Sequence, residues 1–295
     1  MQITILGDGV WGRALHSVIQ QNTANTTQIL GRGEKADKVE LLVLSVPTQS
    51  IREALGQISF NEQKIIVNTA KGIESSTHAL PHEIVQEELG KEFDYYTLSG
   101  PSFAKEVTLG MPTLVNLGYR VSSSNNQVVQ KIFQTPQFHV RLTPGVEVLE
   151  LSGAFKNIYA IGCGLATGLG FGDNTRAALI VMAIEEMHVV SQALGLTIED
   201  TAKAATIGDI VLCCNSVESR NFRFGTLLAA YDIEHCFSEI KSTIEGFNTL
   251  ASLSHFEAKS DRELPFARFI SGVVQANNPQ TIKKSFEEFF ITRSV

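Results

Sequence analysis

Lys156 is the one charge in an apolar stretch running from Leu151 to Phe171, and that isolation makes it a candidate for proton transfer. Desolvation disfavours an ammonium and lowers a lysine's pKa, which suits the side chain to exchange a proton near neutral pH. The competing reading is a lysine that snorkels out of an apolar helix. Asn157 adds a polar group that a plain core helix would not hold, and Gly208-Asp209 brings a carboxylate able to fix the ammonium. Ser219-Arg220-Asn221 lies ahead of a helical segment, where a guanidinium fork and exposed amides can clamp a phosphate; its bland reading is a surface triplet. Lys71 and Ser102 leave the carboxyl ends of two expected strands, the edge where open α/β sheets bind ligands. Lys71 can hold a polarised oxygen and Ser102 can hydrogen-bond a substrate, although a lysine at a strand end is as often simply solvated. Glu245, in Thr243-Ile244-Glu245-Gly246, is a weaker candidate, equally suited to capping or solvation.

A phosphate cradle precedes all of these. Gly7-Asp8-Gly9-Val10-Trp11-Gly12 follows the first apolar run directly and opens a helix through Leu15, Val18 and Ile19. Gly7 permits the tight turn, Gly9 lets backbone approach a pyrophosphate, and Gly12 allows helix and strand to pack closely. Amides at the helix start then face the anion. Asp8 sits awkwardly there unless it points away. The second strand should end near Leu30, where an acidic residue would accept a bond from the ribose of NAD; Gly31-Arg32-Gly33 stands there instead. Arg32 could pair with the 2′-phosphate of NADP, stack on adenine, or remain an exposed loop arginine. The pattern implies a nicotinamide dinucleotide, NADP or NAD.

These residues need a particular scaffold. Short apolar runs recur at Ile3–Leu6, Gln28–Leu30, Leu41–Val46, Lys64–Asn68, Tyr95–Leu98, Thr113–Leu117 and Phe138–Leu142. Separated by helix-like segments, they predict a parallel sheet covered on both faces. Beyond Pro144-Gly145 the spacing turns helical, over Val148–Leu169, Asn174–Leu194 and Glu234–Phe256. The expected organisation is therefore an α/β dinucleotide-binding domain over 1–145 and an all-helical substrate and catalytic domain over 146–295. Ala160, Gly164 and Gly168 recur every fourth residue, giving the first of those helices a groove for another helix and favouring a buried helix over a membrane span.

Composition narrows the classes further. The 295 residues are 43% hydrophobic and 19% charged, which supplies a packed core, and the formal charge of -7 disfavours general nucleic-acid binding. Four cysteines without spaced CxxC pairs suit a reducing compartment, and the N-terminus shows no basic export signal, so the expected location is the cytoplasm. Seven scattered histidines suggest no metal; the close pair His78 and His82 brackets Pro81 without an obvious carboxylate partner. Cys213-Cys214 has no nearby histidine to make it a nucleophile.

Taken together, GDGVWG at Gly7, NTAKGIE at Asn68, SGPSFAKEV at Ser99, ELSGAFKNIYAI at Glu150, GLGFGDNTRAALI at Gly168, IGDIVL at Ile207, SRNFRFG at Ser219 and EGFNT at Glu245 form a specific set. The sequence resembles the NAD(P)-dependent glycerol-3-phosphate dehydrogenases of bacteria over nearly its whole length. The resemblance implies a Rossmann-like domain followed by a helical one, with the active site between them. It also implies reversible reduction of dihydroxyacetone phosphate to sn-glycerol 3-phosphate, a phospholipid precursor. Its partner would be that phosphorylated small molecule, with a homodimer left open.

Carried over position by position, Lys156 looks like the proton acceptor and donor. Lys71, Gly100, Ser102, Asp209, Ser219, Arg220 and Asn221 look like the substrate shell, with Lys71 and Asp209 next to the chemistry. Val10, Trp11, Arg32, Lys71, Ala104, Arg220, Thr243 and Glu245 join the three glycines as cofactor contacts. Three departures stand out. The connection after Arg32 is some tens of residues shorter than in the family, Val10 replaces a small or polar residue, and Cys213 and Asn215 stand where threonines are common. A β-hydroxyacid or 6-phosphogluconate type dehydrogenase shares the architecture, but the SRN cluster and paired lysines favour a small phosphorylated ketone. A non-catalytic dinucleotide sensor would need no buried proton donor.

Overall fold

The computed structural model describes residues 1–22, 26–90, 92–195 and 203–292. Two compact units divide it. One holds Met1–Gly153 with the returning segment Lys203–Thr206, and the other holds the chain from Ala154 onward apart from that segment. The division falls inside a helix, past the break expected at Pro144-Gly145, because that helix's first turns pack with the sheet through Leu149 and Glu150.

The first unit is a seven-stranded sheet: β1 (Gln2–Leu6), β2 (Thr26–Leu30), β3 (Ala36–Leu44), β4 (Ile58–Asn68), β5 (Asp94–Ser99), β6 (Thr113–Tyr119) and β7 (Phe138–Pro144), in the order β2-β1-β3-β4-β5-β6-β7. Side chains alternate across a strand, so a strand buried on both faces reads as an unbroken apolar run. Ile3, Ile5, Leu41, Val43, Ile65 and Val67 face one layer, built from α1 (Val10–Gln20) and later helices. Leu6, Leu42, Leu44 and Ile66 face the other, which α2 (Ile51–Leu55) and α3 (Pro81–Leu89) cover.

One pairing departs from the expected parallel sheet, since β6 runs antiparallel to β5. Between Ser99 and Thr113 the chain forms only the five-residue α4 (Ala104–Thr108) before it returns as β6, with Ser99 opposite Asn116 and Tyr96 opposite Tyr119. Thr69, Lys71, Gly100 and Ser102 consequently lie just past the carboxyl ends of neighbouring parallel strands β4 and β5.

The second unit is helical. It takes most of a long helix, Glu147–Gly168, whose first turns belong to the first unit, and the helix Asp173–Gln192 follows. The groove expected on Glu147–Gly168 is there. A Cβ at Gly164 would lie 1.9 Å from the Phe222 carbonyl oxygen, and one at Gly168 would lie 2.4 Å from that of Thr226. The opposing helix, Arg220–Leu228, reciprocates with Gly225, whose Cβ would stand 1.9 Å from the Ile161 oxygen. Backbones thus touch where ordinary side chains would hold helices about 8–10 Å apart. The single helical run expected over Glu234–Phe256 is broken into Ile233–Ile240, Glu245–Leu250 and Leu253–Ser260. Lys241, left-handed at φ 49°, ends the first piece, and Gly246 is pressed against the Asn157 oxygen. No helix among the described residues is long and apolar enough to cross a membrane.

Candidate active site

In the first unit the glycine turn has three distinct environments. Gly7 adopts φ +118°, and a Cβ there would lie 2.3 Å from the Ser45 oxygen, so only glycine fits. A Cβ at Gly12 would meet the Gly7 oxygen at 2.0 Å, whereas one at Gly9 would meet nothing within 4 Å. Two glycines serve the protein's own packing, and the middle one opens onto free space, as a backbone surface awaiting a pyrophosphate requires. Gly9 is the N-cap of α1 and spends no side chain on it, leaving the first-turn amides for an anion. Val10 is exposed, and Trp11 is partly buried against the core. Asp8 does turn to a cation, lying 3.7 Å from Arg13. These residues fit a dinucleotide.

Lys71 Nζ donates to the Gly100 oxygen at 3.1 Å, and Ser102 Oγ donates to the same oxygen at 3.1 Å. The structure therefore gathers Lys71, Gly100 and Ser102. Gly153 lets its helix approach, since a Cβ there would be 3.3 Å from Lys71 Cγ. Ala104 opens α4 and packs against the same core as Trp11. Arg32 lies apart from these residues, in the connection between β2 and β3. Its guanidinium is on the surface and paired with both Glu53 carboxylate oxygens at 3.2 Å.

Beneath Lys71 lies a group to which the sequence assigned no role. Glu150 is 1% exposed and accepts from Tyr95 Oη at 2.5 Å, Thr97 Oγ1 at 2.8 Å and Asn68 Nδ2 at 3.3 Å. Its other oxygen takes the His82 amide at 3.1 Å and lies 2.7 Å from His82 Nδ1. His82, which shows no carboxylate partner in its own stretch of sequence, thus has one from a distant helix. Burial alone would push the imidazole down, but Glu150 outweighs it and holds His82 above the ordinary histidine range. Asn68 Oδ1 in turn accepts the Ala70 amide at 2.9 Å, so this buried carboxylate braces the turn that carries Lys71. The signal available in sequence was a glutamate inside the apolar run Val148-Leu149-Glu150-Leu151.

In the second unit, Lys156 and Asp209 are both buried, with Nζ 2.7 Å from Oδ1. Lys156 Nζ also donates to Cys213 Sγ at 3.1 Å, and the thiol lies 3.5 Å from Asp209 Oδ1. The expected lowering of the lysine does not hold. Burial pushes it down, but Asp209 and Cys213 outweigh that and hold it above the ordinary lysine range, so Lys156 stands as an ammonium. Asp209 heads its short helix directly after a π-helical turn at Ala204–Gly208. Asn215, the other departure beside Cys213, accepts from Arg176 Nε at 2.8 Å.

Ser219 caps the helix Arg220–Leu228 by accepting the Phe222 amide at 3.3 Å. Arg220, at the first helical position, is exposed. Asn221 Nδ2 donates to Asn157 Oδ1 at 2.9 Å, and its Oδ1 accepts the Gly246 amide at 3.0 Å. Its side chain thus spends two bonds inside the protein, which tie Asn157 and the head of the helix Glu245–Leu250 to the residue that follows Arg220. Thr243 and Glu245 lie half-buried at that same helix start.

Comparison with known proteins identifies the family. The family model described as NAD-dependent glycerol-3-phosphate dehydrogenase N-terminus matches residues 32–126, and that of the C-terminus matches residues 145–284. A glycerol-3-phosphate dehydrogenase [NAD(P)+] of Syntrophomonas wolfei is 34% identical, over 90% of this chain and 78% of its own. That of Bacillus licheniformis is 31% identical, over 92% and 90%. The crystal structure of glycerol-3-phosphate dehydrogenase from Coxiella burnetii superposes with a TM-score of 0.87 at 26% identity, covering 98% of each chain. With both halves matched and the fold shared end to end, the chain belongs to the NAD-dependent glycerol-3-phosphate dehydrogenases.

Proposed function

We propose that this chain interconverts dihydroxyacetone phosphate and sn-glycerol 3-phosphate with NAD(P)H, and so supplies glycerophospholipid synthesis. The observation that carries the reading is the buried Lys156–Asp209 pair at 2.7 Å. A lysine held as an ammonium in an apolar helix is a proton source, and burying it is justified by a substrate oxygen that acquires charge. When bound, the nicotinamide supplies the hydride. As the C2 carbon accepts it, the carbonyl oxygen gains negative charge and takes a proton from Lys156 Nζ. Asp209 keeps the lysine charged and oriented until that moment. Lys71 polarises the oxygen or holds the substrate beside the Gly100 carbonyl and Ser102, and Arg220, Asn221 and the capped helix start behind Ser219 hold the phosphate.

The residues proposed to contact the dinucleotide are Gly7, Gly9 and Gly12, Val10, Trp11, Ala104, Arg220, Thr243 and Glu245. Four buried thiols, none in a disulfide, agree with a cytoplasmic site of action. The test is direct. Purified protein with dihydroxyacetone phosphate should consume the nicotinamide absorbance, and unphosphorylated dihydroxyacetone should be a far poorer substrate. Equal use of the two ketones, or no consumption with either NADH or NADPH, would overturn the reading.

A further inference from the structure

The short connection from β2 to β3 builds something specific. Gly31–Lys35 joins the strands in five residues, with Gly33 at φ +84°. The turn closes on itself, since Glu34 N donates to the Gly31 oxygen at 3.3 Å and Gly31 N donates to Glu34 Oε2 at 2.6 Å. The carboxylate is thereby folded back onto the end of β2. A Cβ at Gly31 would stand 3.6 Å from Glu34 Oε2 and 3.6 Å from Asp8 Oδ2, so carboxylates from two separate turns flank this glycine. The glycine-rich turn is locked to the same spot, with Gly7 N donating to the Leu30 oxygen at 2.9 Å. The guanidiniums nearby are already engaged, Arg13 with Asp8 and Arg32 with Glu53. The two carboxylates beside Gly31 are thus those of Asp8 and Glu34, with Lys35 exposed at the far end of the same connection.

In dinucleotide-binding sheets this strand end meets the adenosine ribose. A free 2′-hydroxyl can donate to a carboxylate there. A 2′-phosphate carries roughly -1.5 to -2 charges and would be repelled by it. We infer that Glu34, brought to the end of β2 by the shortened connection, makes this chain select NAD(H) over NADP(H). The inference rests on the dinucleotide reading of the glycine turn. It also reverses the role open to Arg32, which serves Glu53 in place of a phosphate.

Trp11 is the single tryptophan and lies in the first turn of α1 close to Gly9, so its emission and the nicotinamide fluorescence both report occupancy without turnover. The experiment measures Kd for NADH and NADPH by titration of the wild type, Glu34→Gln and Arg32→Ala. Wild type should bind NADH at least about tenfold tighter, the scale of a single charge-assisted hydrogen bond. Glu34→Gln should shrink that ratio about fivefold or more by improving NADPH, and Arg32→Ala should leave the NADPH constant within about twofold. Equal wild-type constants, or a ratio unmoved in Glu34→Gln, would overturn the inference and leave the glycine turn's role intact. Failure of wild type to bind either dinucleotide would remove that role and the inference with it.

Discussion

Lys156 Nζ stands 2.7 Å from Asp209 Oδ1, with both residues buried. A carboxylate this close stabilises the ammonium and sets which direction of the reaction finds the lysine ready. Ketone reduction needs the charged form, which prevails across neutral pH. Alcohol oxidation needs the neutral amine, which grows only as pH climbs towards the raised value. The turnover number for oxidation should therefore rise steadily with alkaline pH, while that for reduction stays level through neutrality. Parallel profiles in the two directions would remove Lys156 from proton transfer.

Lys156→Ala should lower turnover by about 10²- to 10⁴-fold, the usual contribution of a positioned acid or base. Dinucleotide titration should be unchanged, since Lys156 is not among the residues proposed to contact the dinucleotide. Near-normal turnover in this variant would pass the role to Lys71.

Arg220 begins a helix whose cap and second residue are fixed by Ser219 and Asn221, so its fork is presented from a rigid base. Lysine keeps the charge and loses the paired donors. Arg220→Lys should raise KM for dihydroxyacetone phosphate about tenfold, the scale of one charge-assisted bond, and narrow the preference over dihydroxyacetone. An unchanged preference would place the phosphate elsewhere.

His82 and Glu150 give a stability signature instead. The imidazole's folded value is raised above the ordinary 6.5, so its contribution is complete below that pH and is lost as pH rises through the raised value. Thermal melts should show the wild type losing more Tm between about pH 6 and pH 9 than His82→Gln does. At about pH 6 that variant should be about 1–3 kcal/mol less stable, because Glu150 loses its charged partner while keeping its neutral donors. Equal pH slopes in the two proteins would show that the imidazole is neutral in the fold.

Gly164→Ala tests the helix crossing. Its Cβ would need the space 1.9 Å from the Phe222 oxygen, which backbone cannot yield cheaply. A loss of about 1–3 kcal/mol is expected in denaturant unfolding, as for other overpacked sites. Gly9→Ala, which meets nothing within 4 Å, should leave stability nearly intact and weaken dinucleotide binding.

Much of this was legible in residue order because it is local. The glycine turn, the apolar runs of β1 and β3, and the small-residue face of the helix Glu147–Gly168 each carry their physics within a few positions. Lys156 was legible too, since one charge in an apolar helix needs an explanation, although its ionisation was not. That balance depends on Asp209 and Cys213, and no local pattern weighs burial against a partner so far along the chain. The antiparallel β6 and the Arg32–Glu53 pair were hidden for the same reason. Each is decided by which distant segments meet in three dimensions. Glu150 was the largest omission, because its partners Asn68, His82, Tyr95 and Thr97 all lie far from it in the chain.

Those partners sit at the end of β4, at the start of α3 and in β5, and their arrangement has a bearing on how the first unit assembles. Glu150 is satisfied only when all three segments and its own helix have arrived. A chain with the sheet formed but α3 or the start of Glu147–Gly168 undocked would hold a dehydrated carboxylate with too few donors, or keep it wet by leaving the layer open. Half-built forms of this layer are thus penalised more steeply than an apolar contact would penalise them. The docking of these two helices onto the sheet should accordingly be lost together, as one cooperative step.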